Sequence, residues 1–386
     1  MKLRRLTLLS SVAALAALSL VSCSSGKGFG HLFPFDSILP QAKFVFTVGD
    51  SDVGAYSINN ATGAITAAPG SPFGGSVFSC PDLGTANPTG TFLFVEDACV
   101  ENIRIFSIDQ TSGALAEVSG SGFAPANVGN LETPAAHPNG HLLYVSDNSL
   151  GVHGFTIDAA GALTEVAGSP FPGGGSDEGM AISSNGKYLY LADSIGPPAS
   201  ITAYSINTST GVLTAVAGSP FALDNSPHFL TIDPTSRYLY ASGSEDDTVI
   251  AFAINPTTGA LVKVAGSPFA AGGPNPQGIA VSPDGHFLFV ANNGDLDIPL
   301  NGSVSAFSID SSNGKLKPVA GSPFTAGSNP KRLAVDPSSE FLYVTNEDED
   351  NMSVFTIDPT TGVLRNVSGS PFPTNVGSEG VTITHH

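Results

Sequence analysis

A tetrapeptide repeated seven times at a period near fifty residues, four strand-like bursts in each period, and complementary chain ends predict an all-β fold. That fold is a seven-bladed β-propeller of four-stranded antiparallel blades, its ring closed by the C-terminal strand joining blade one. Gly-Ser-Pro-Phe, or a close variant, starts at Gly70, Gly120 (as Gly-Ser-Gly-Phe), Gly168, Gly218, Gly266, Gly321 and Gly369. Glycine (44) and proline (29) are abundant and only 12% of the 386 residues are charged, which suits short strands joined by tight turns.

The chain opens with a segment that reads as a targeting leader. Lys2, Arg4 and Arg5 precede an uncharged apolar run from Leu6 to Leu20, too short and wrongly flanked for a permanent membrane span. Leu20-Val21-Ser22-Cys23 looks like a lipoprotein processing site, so residues 1–22 are expected to be removed and Cys23 acylated. Its acyl chains would make the membrane a partner, each buried methylene contributing about 0.8 kcal/mol. Ser24 rather than Asp after the cysteine implies the outer membrane of a bacterial cell envelope. Residues 23–42 read as a flexible tether and 43–386 as one propeller domain.

One unit shows how a blade is built. Gly278–Val281 is expected to form the first strand, Phe287–Asn292 the second, Val304–Asp310 the third and Leu316–Ala320 the fourth. Ser282-Pro283-Asp284-Gly285 and Ser311-Ser312-Asn313-Gly314 supply turns. The second-strand theme recurs at Phe44–Val48, Phe92–Val95, Leu142–Val145, Tyr188–Leu191, Tyr238–Tyr240 and Phe341–Val344. The first unit starts at its second strand, whereas Glu379–Thr384 is a first strand with no unit after it. Such ends close a ring and leave no free sheet edge.

With a net charge of −19, the chain is expected to repel phosphate backbones, which excludes nucleic acid as a partner. Most of its 33 acidic residues fall where blades enter their first strands or leave their second, and these connections share one face. Aligning the blades places Glu379, Asp82, Glu132, Glu178, His228, Gln277 and Lys331 around the inner mouth of that face, a candidate ligand-binding ring. The enlarged connection holding Asp295, Asp297 and Asn301, with Asp348 and Asp350 of the next blade, offers hard oxygen ligands that would suit Ca²⁺. No His or Cys cluster points to zinc. Cys80 immediately precedes a first strand and Cys99 follows the adjacent second strand, so a disulfide is expected between them.

Tyr343-Val344-Thr345-Asn346, together with the units His137–Val145 and Ser282–Val290, resembles the YVTN repeats of the bacterial lactonase family, which includes 6-phosphogluconolactonase-type propellers. The resemblance covers essentially residues 43–386. It implies an Arg-His pair at one first-strand start and an Asn-Glu pair at the end of the second strand. Here Asn346-Glu347 is present, Lys331-Arg332 stands in place of Arg-His, and His228 lies one position early in another blade. Two functions are therefore expected. One is a monomeric envelope scaffold that binds a small molecule, carbohydrate or protein on its acidic face. The other is a hydrolase or isomerase of an unphosphorylated lactone, with Glu347 or His228 as base and Lys331 or Arg332 stabilising the anion.

Overall fold

The computed structural model describes residues 42–173, 179–194, 198–294 and 302–385. Every described segment belongs to an antiparallel sheet or its connections, and seven sheets follow one another along the chain. The inner strands of blades two to seven are, in order, Pro81–Ala86, Leu131–Ala136, Met180–Ile182, Leu230–Ile232, Pro276–Val281 and Pro330–Val335, and that of blade one is Gly380–His385. Each packs against the next and the last against the first, so they line a central channel. As the sequence predicts, Gly380–His385 completes blade one by pairing along Ala42–Val48, with Val45 opposite Ile383 and Val48 opposite Gly380.

Alternation along the second strands explains why the blades stack. Leu342, Tyr343 and Val344 are fully buried because both faces of each sheet meet a neighbouring blade. The tyrosine of this motif also stitches blades together. Tyr343 donates its hydroxyl to the carbonyl of Gly63 at 3.1 Å, joining blade seven to blade one. Tyr144, Tyr190 and Tyr240 do the same to Gly211, Gly259 and Gly314 of the following blade. The receiving glycine has a positive φ (73° at Gly63), and a Cβ there would sit 2.3 Å from the Phe341 ring. Only glycine makes that turn against an aromatic wall.

The repeated tetrapeptide does more than mark the period. Its phenylalanine returns to the third strand as an extra rung: Phe221–Ala222, Phe269–Ala270, Phe324–Thr325 and Phe372–Pro373 form short strands there. Phe73, Phe123 and Phe171 make single bridges in the remaining blades. Its serine Oγ accepts the N–H of a third-strand residue, as Ser370 does from Val354 at 2.8 Å and Ser71 from Ala55 at 2.9 Å. These rungs close donors that the short outer strand leaves open. The second strands also run two residues beyond the expected bounds, to Asp97, Asp147, Asp193 and Asn346; Asp97, Asp147 and Asn346 accept the N–H groups of Cys80, Gly129 and Gly327 from the adjoining connections.

Candidate functional site at the channel mouth

Four inner strands carry a bulge just after they start, between Pro81 and Gly84, Leu131 and Pro134, Pro276 and Ile279, and Pro330 and Leu333. A bulge turns extra backbone away from the ladder, and those groups need partners. Second-strand side chains supply them in three of these blades and in blade five. Thr345 Oγ1 accepts from Arg332 N at 3.2 Å, Ser146 Oγ from Thr133 N at 2.9 Å, Ser242 Oγ from Phe229 N at 3.0 Å and Glu96 Oε1 from Leu83 N at 3.2 Å. The mouth is thus held by the second strands rather than by its own loops.

A cavity of about 170 Å³ occupies the channel at this level, lined by residues from all seven inner strands, among them Leu83, Pro134, Phe229, Ile279, Arg332 and Val381. A void near 150 Å³ takes a benzene ring, so a single six-membered ring fits the space. Six members of the ring expected from sequence are half-buried beside it, each directly preceding a lining residue or, for Glu379, two positions before one. Glu178 lies outside the described residues.

The structure brings part of this ring into contact. Lys331 Nζ lies 3.1 Å from Glu347 Oε2 and 4.0 Å from Glu379 Oε1. Asn329 Nδ2 donates to the same Glu347 oxygen at 2.6 Å, and the Glu347 N–H donates to the Asn329 carbonyl at 3.1 Å. Burial raises the Glu347 carboxyl above its ordinary value; the Lys331 ammonium pulls it back and Glu379 pushes it up. Burial, then the Asp82 charge, raises Glu379, and Lys331 opposes them.

Arg332 faces the cavity with its guanidinium carbon 3.3 Å from the centre of the Phe229 ring, a cation–π contact across blade six. Gly278 makes this approach possible, since a Cβ there would stand 2.6 Å from the Lys331 carbonyl oxygen and 2.8 Å from Arg332 Cα. His228 packs edge-on against Phe229, with ring centroids 4.3 Å apart. It therefore belongs to the Phe229–Arg332 side of the mouth. Gln277 is turned to its own loop, donating to Asn275 Oδ1 at 2.8 Å. Glu132 accepts from Asn130 and Asn148 at 3.0 and 3.2 Å.

The residues singled out for Ca²⁺ divide. Asp295, Asp297 and Asn301 lie outside the described residues. Asp348 accepts from Ser328 Oγ at 3.0 Å and Asn329 Nδ2 at 3.1 Å, and Asp350 Oδ1 accepts from Gly377 N at 2.7 Å. Among the described residues no group of three or more His, Cys, Asp or Glu is placed to hold a metal ion. Cys80 and Cys99 are disulfide-bonded, with Cα atoms 5.3 Å apart, one position before the Pro81 strand and two after the Asp97 strand end. Cys23 and the leader also lie outside the described residues.

The sequence places Glu96 among the acids beside the second-to-third connections; the structure buries it instead. It is fully buried on the second strand of blade two, at the position filled by Ser146, Ser242 and Thr345 elsewhere. The one available signal was a carboxylate inside an otherwise apolar or small-residue strand pattern. Sequence reasoning missed His153, buried between Asp147 Oδ2 and Glu165 Oε1 at 3.3 Å from each. Burial alone would raise Asp147, but hydrogen bonds from His153 and from the N–H groups of Gly129 and Ser149 hold it at about 2. That cluster fastens the connection leading into Glu132. Its counterpart in blade two is Arg104, 3.0 Å from Glu117.

Comparison with known proteins agrees with this architecture. The model of a family described as lactonase, seven-bladed β-propeller, matches residues 83–277 and 270–377. A Formosa agariphila 6-phosphogluconolactonase is 43% identical over 74 residues, a stretch covering 19% of this chain and 20% of that protein. The chain thus spans about a fifth of the curated relative it matches. A Bacteroides uniformis protein provisionally named a 6-phosphogluconolactonase superposes with a TM-score of 0.74 at 17% identity, covering 89% of this chain and 100% of the other. The periplasmic gluconolactonase of Pseudomonas aeruginosa superposes with a TM-score of 0.66 at 22% identity, covering 88% and 98%. At these identities the superpositions speak for the fold, and the family match for kinship: the chain belongs to the seven-bladed β-propeller lactonase family.

Proposed function

We propose that this protein is a hydrolase that opens an unphosphorylated sugar lactone at the channel mouth. The observation that carries the reading is the contact of Lys331 with Glu347 at the rim of a ring-sized cavity into which Arg332 projects. A lactone needs an activated water and a partner for the oxyanion. Glu347, whose raised carboxyl is held by Lys331 and Asn329, is the base. Arg332, fixed over Phe229 and facing the cavity, meets the carbonyl oxygen. Asp82, Glu132 and Glu379 suit the hydroxyl groups of a sugar and oppose a phosphate dianion, so the 6-phospho compound is the poorer substrate. The names of the Formosa and Pseudomonas relatives support lactones as the substrate class.

The leader supports a place for this activity in the bacterial cell envelope, on a lipid anchor at Cys23. The acidic mouth as a binding-only surface is the competing reading, and one experiment separates them. Glucono-δ-lactone hydrolysis, followed by proton release above the spontaneous rate, is expected for the wild type and not for Glu347→Gln, whose kcat/KM falls by on the order of 10²–10⁴. Because the Glu347 carboxyl is raised, activity should set in above the pH range of an ordinary glutamate (about 4.3). Binding of the lactone without acceleration, or full activity in Glu347→Gln, would overturn the hydrolase reading. Activity should move from the membrane to the soluble fraction in Cys23→Ser.

A further inference from the structure

Thr345 lies two positions before Glu347, next to last in the second strand of blade seven, and is fully buried. Its hydroxyl joins three elements. It accepts the N–H of Arg332 at 3.2 Å, a donor that the bulge between Pro330 and Leu333 turns out of the ladder. It donates its one proton to the Glu379 carbonyl at 2.8 Å, just ahead of the strand that closes the ring. The Glu379 N–H in turn donates to the Val48 carbonyl of blade one at 2.9 Å. The blade itself does not require this hydroxyl. At the same position blade one carries Val48, and blades four and six carry Ala192 and Ala291, all buried. What distinguishes blade seven is the residue whose N–H is taken. Arg332 runs from this point past Gly278, where a Cβ would stand 2.8 Å from its Cα, and lays its guanidinium over Phe229.

Resting on the lactone-opening reading, we infer that Thr345 is a positioning residue. Its hydroxyl sets Arg332 against the lactone carbonyl oxygen, at the level where Glu347 activates the water, and ties that setting to the closed ring through Glu379. Thr345 touches no substrate and acts through Arg332. Its effect therefore belongs to the step in which negative charge builds on the carbonyl oxygen, where a preorganised cation counts most. Substrate binding, carried by the cavity walls and the acidic rim, does not depend on it.

Thr345→Val keeps the shape of the side chain and removes the hydroxyl. On glucono-δ-lactone its kcat is expected to fall by about 10–100-fold with KM within about twofold of wild type, the pattern of an interaction made only in the transition state. Thr345→Ser keeps donor and acceptor and should restore most of kcat. In an Arg332→Met background, which retains the Glu347 base, the valine should add less than about a twofold loss, because groups that act as one unit are not additive. A merely structural defect would instead add its full loss there. Should the valine variant melt well below wild type, Thr345→Ala, matching blades four and six, goes through the same comparison. An unchanged kcat, a rise in KM alone, a full further loss in the Arg332→Met background or no recovery with serine would overturn the role. No acceleration of lactone opening by the wild type would defeat the hydrolase reading, and this role with it.

Discussion

Glu96 occupies a position at which the other blades carry Val48, Ser146, Ala192, Ser242, Ala291 and Thr345. Its Oε1 does the work of the Ser and Thr hydroxyls, taking the Leu83 N–H, while Oε2 has no hydrogen-bond partner among the described residues. Burial first, then the Asp82 charge and more weakly Glu132 and Asp97, raise this carboxyl well above the ordinary glutamate value. The folded chain therefore holds the Glu96 proton more tightly than the unfolded chain does. Stability tied to this group is present at acid pH and is lost as pH climbs from the ordinary value through the raised one. Glu96→Gln keeps an acceptor for Leu83 and replaces the acid with a permanent donor beside Asp82 and Glu132. Melting followed across pH should show it about 2–4 °C more stable than wild type at pH 8 and no more stable at pH 4. An equal loss at both values would mean that the site tolerates only the carboxyl shape.

At the scale of elements, blade two is anchored twice at the mouth. The Asp97 carboxylate accepts the N–H groups of Ser79 and Cys80, each at 2.9 Å, and the disulfide joins Cys80 to Cys99 over a separation of 19 residues. Closing a loop of that size restricts the unfolded chain by roughly 3 kcal/mol. The double variant Cys80→Ser, Cys99→Ser should lose about that much in denaturant unfolding, with the slope against denaturant measured alongside to register any change in the unfolded state. A loss under about 1 kcal/mol would show that Asp97 suffices to hold the strand ends. Blade alignment pairs the two cysteines because a propeller places the start of each first strand beside the end of its second. The return rungs made by the tetrapeptide phenylalanines are not legible in the sequence. A two-residue strand has no periodicity of its own, and its partner lies in the third strand.

For the whole molecule the decisive element is the last strand. Gly380–His385 supplies the innermost strand of blade one, and Glu379 just before it reaches the Lys331–Glu347 pair of blade seven. Removing residues 379–386 should strip Ala42–Val48 of its inner partner and cost more than about 4–5 kcal/mol, beyond the range of most single substitutions. Thermal unfolding of the truncated chain should be broad or the chain insoluble; a sharp transition within a few degrees of wild type would refute closure as the source of stability. The tyrosine links point the same way, since Tyr343 fastens blade seven to the Gly63 turn of blade one.

The sequence by itself determined the number of blades, their order, the closing strand, the cysteine pair and the mouth at which the acids gather. All of these follow from a period, an alternation or an alignment of like units, and each blade repeats the same local physics. What only the tertiary structure decided is which mouth residues meet. Lys331, Glu347 and Glu379 come from three different segments, and their contact depends on how blades seven and one are rotated about the channel. The same holds for Arg332 over Phe229, which requires Gly278 of the blade between them. A ring of aligned positions told where the side chains start; bulge geometry and burial told where their charges end.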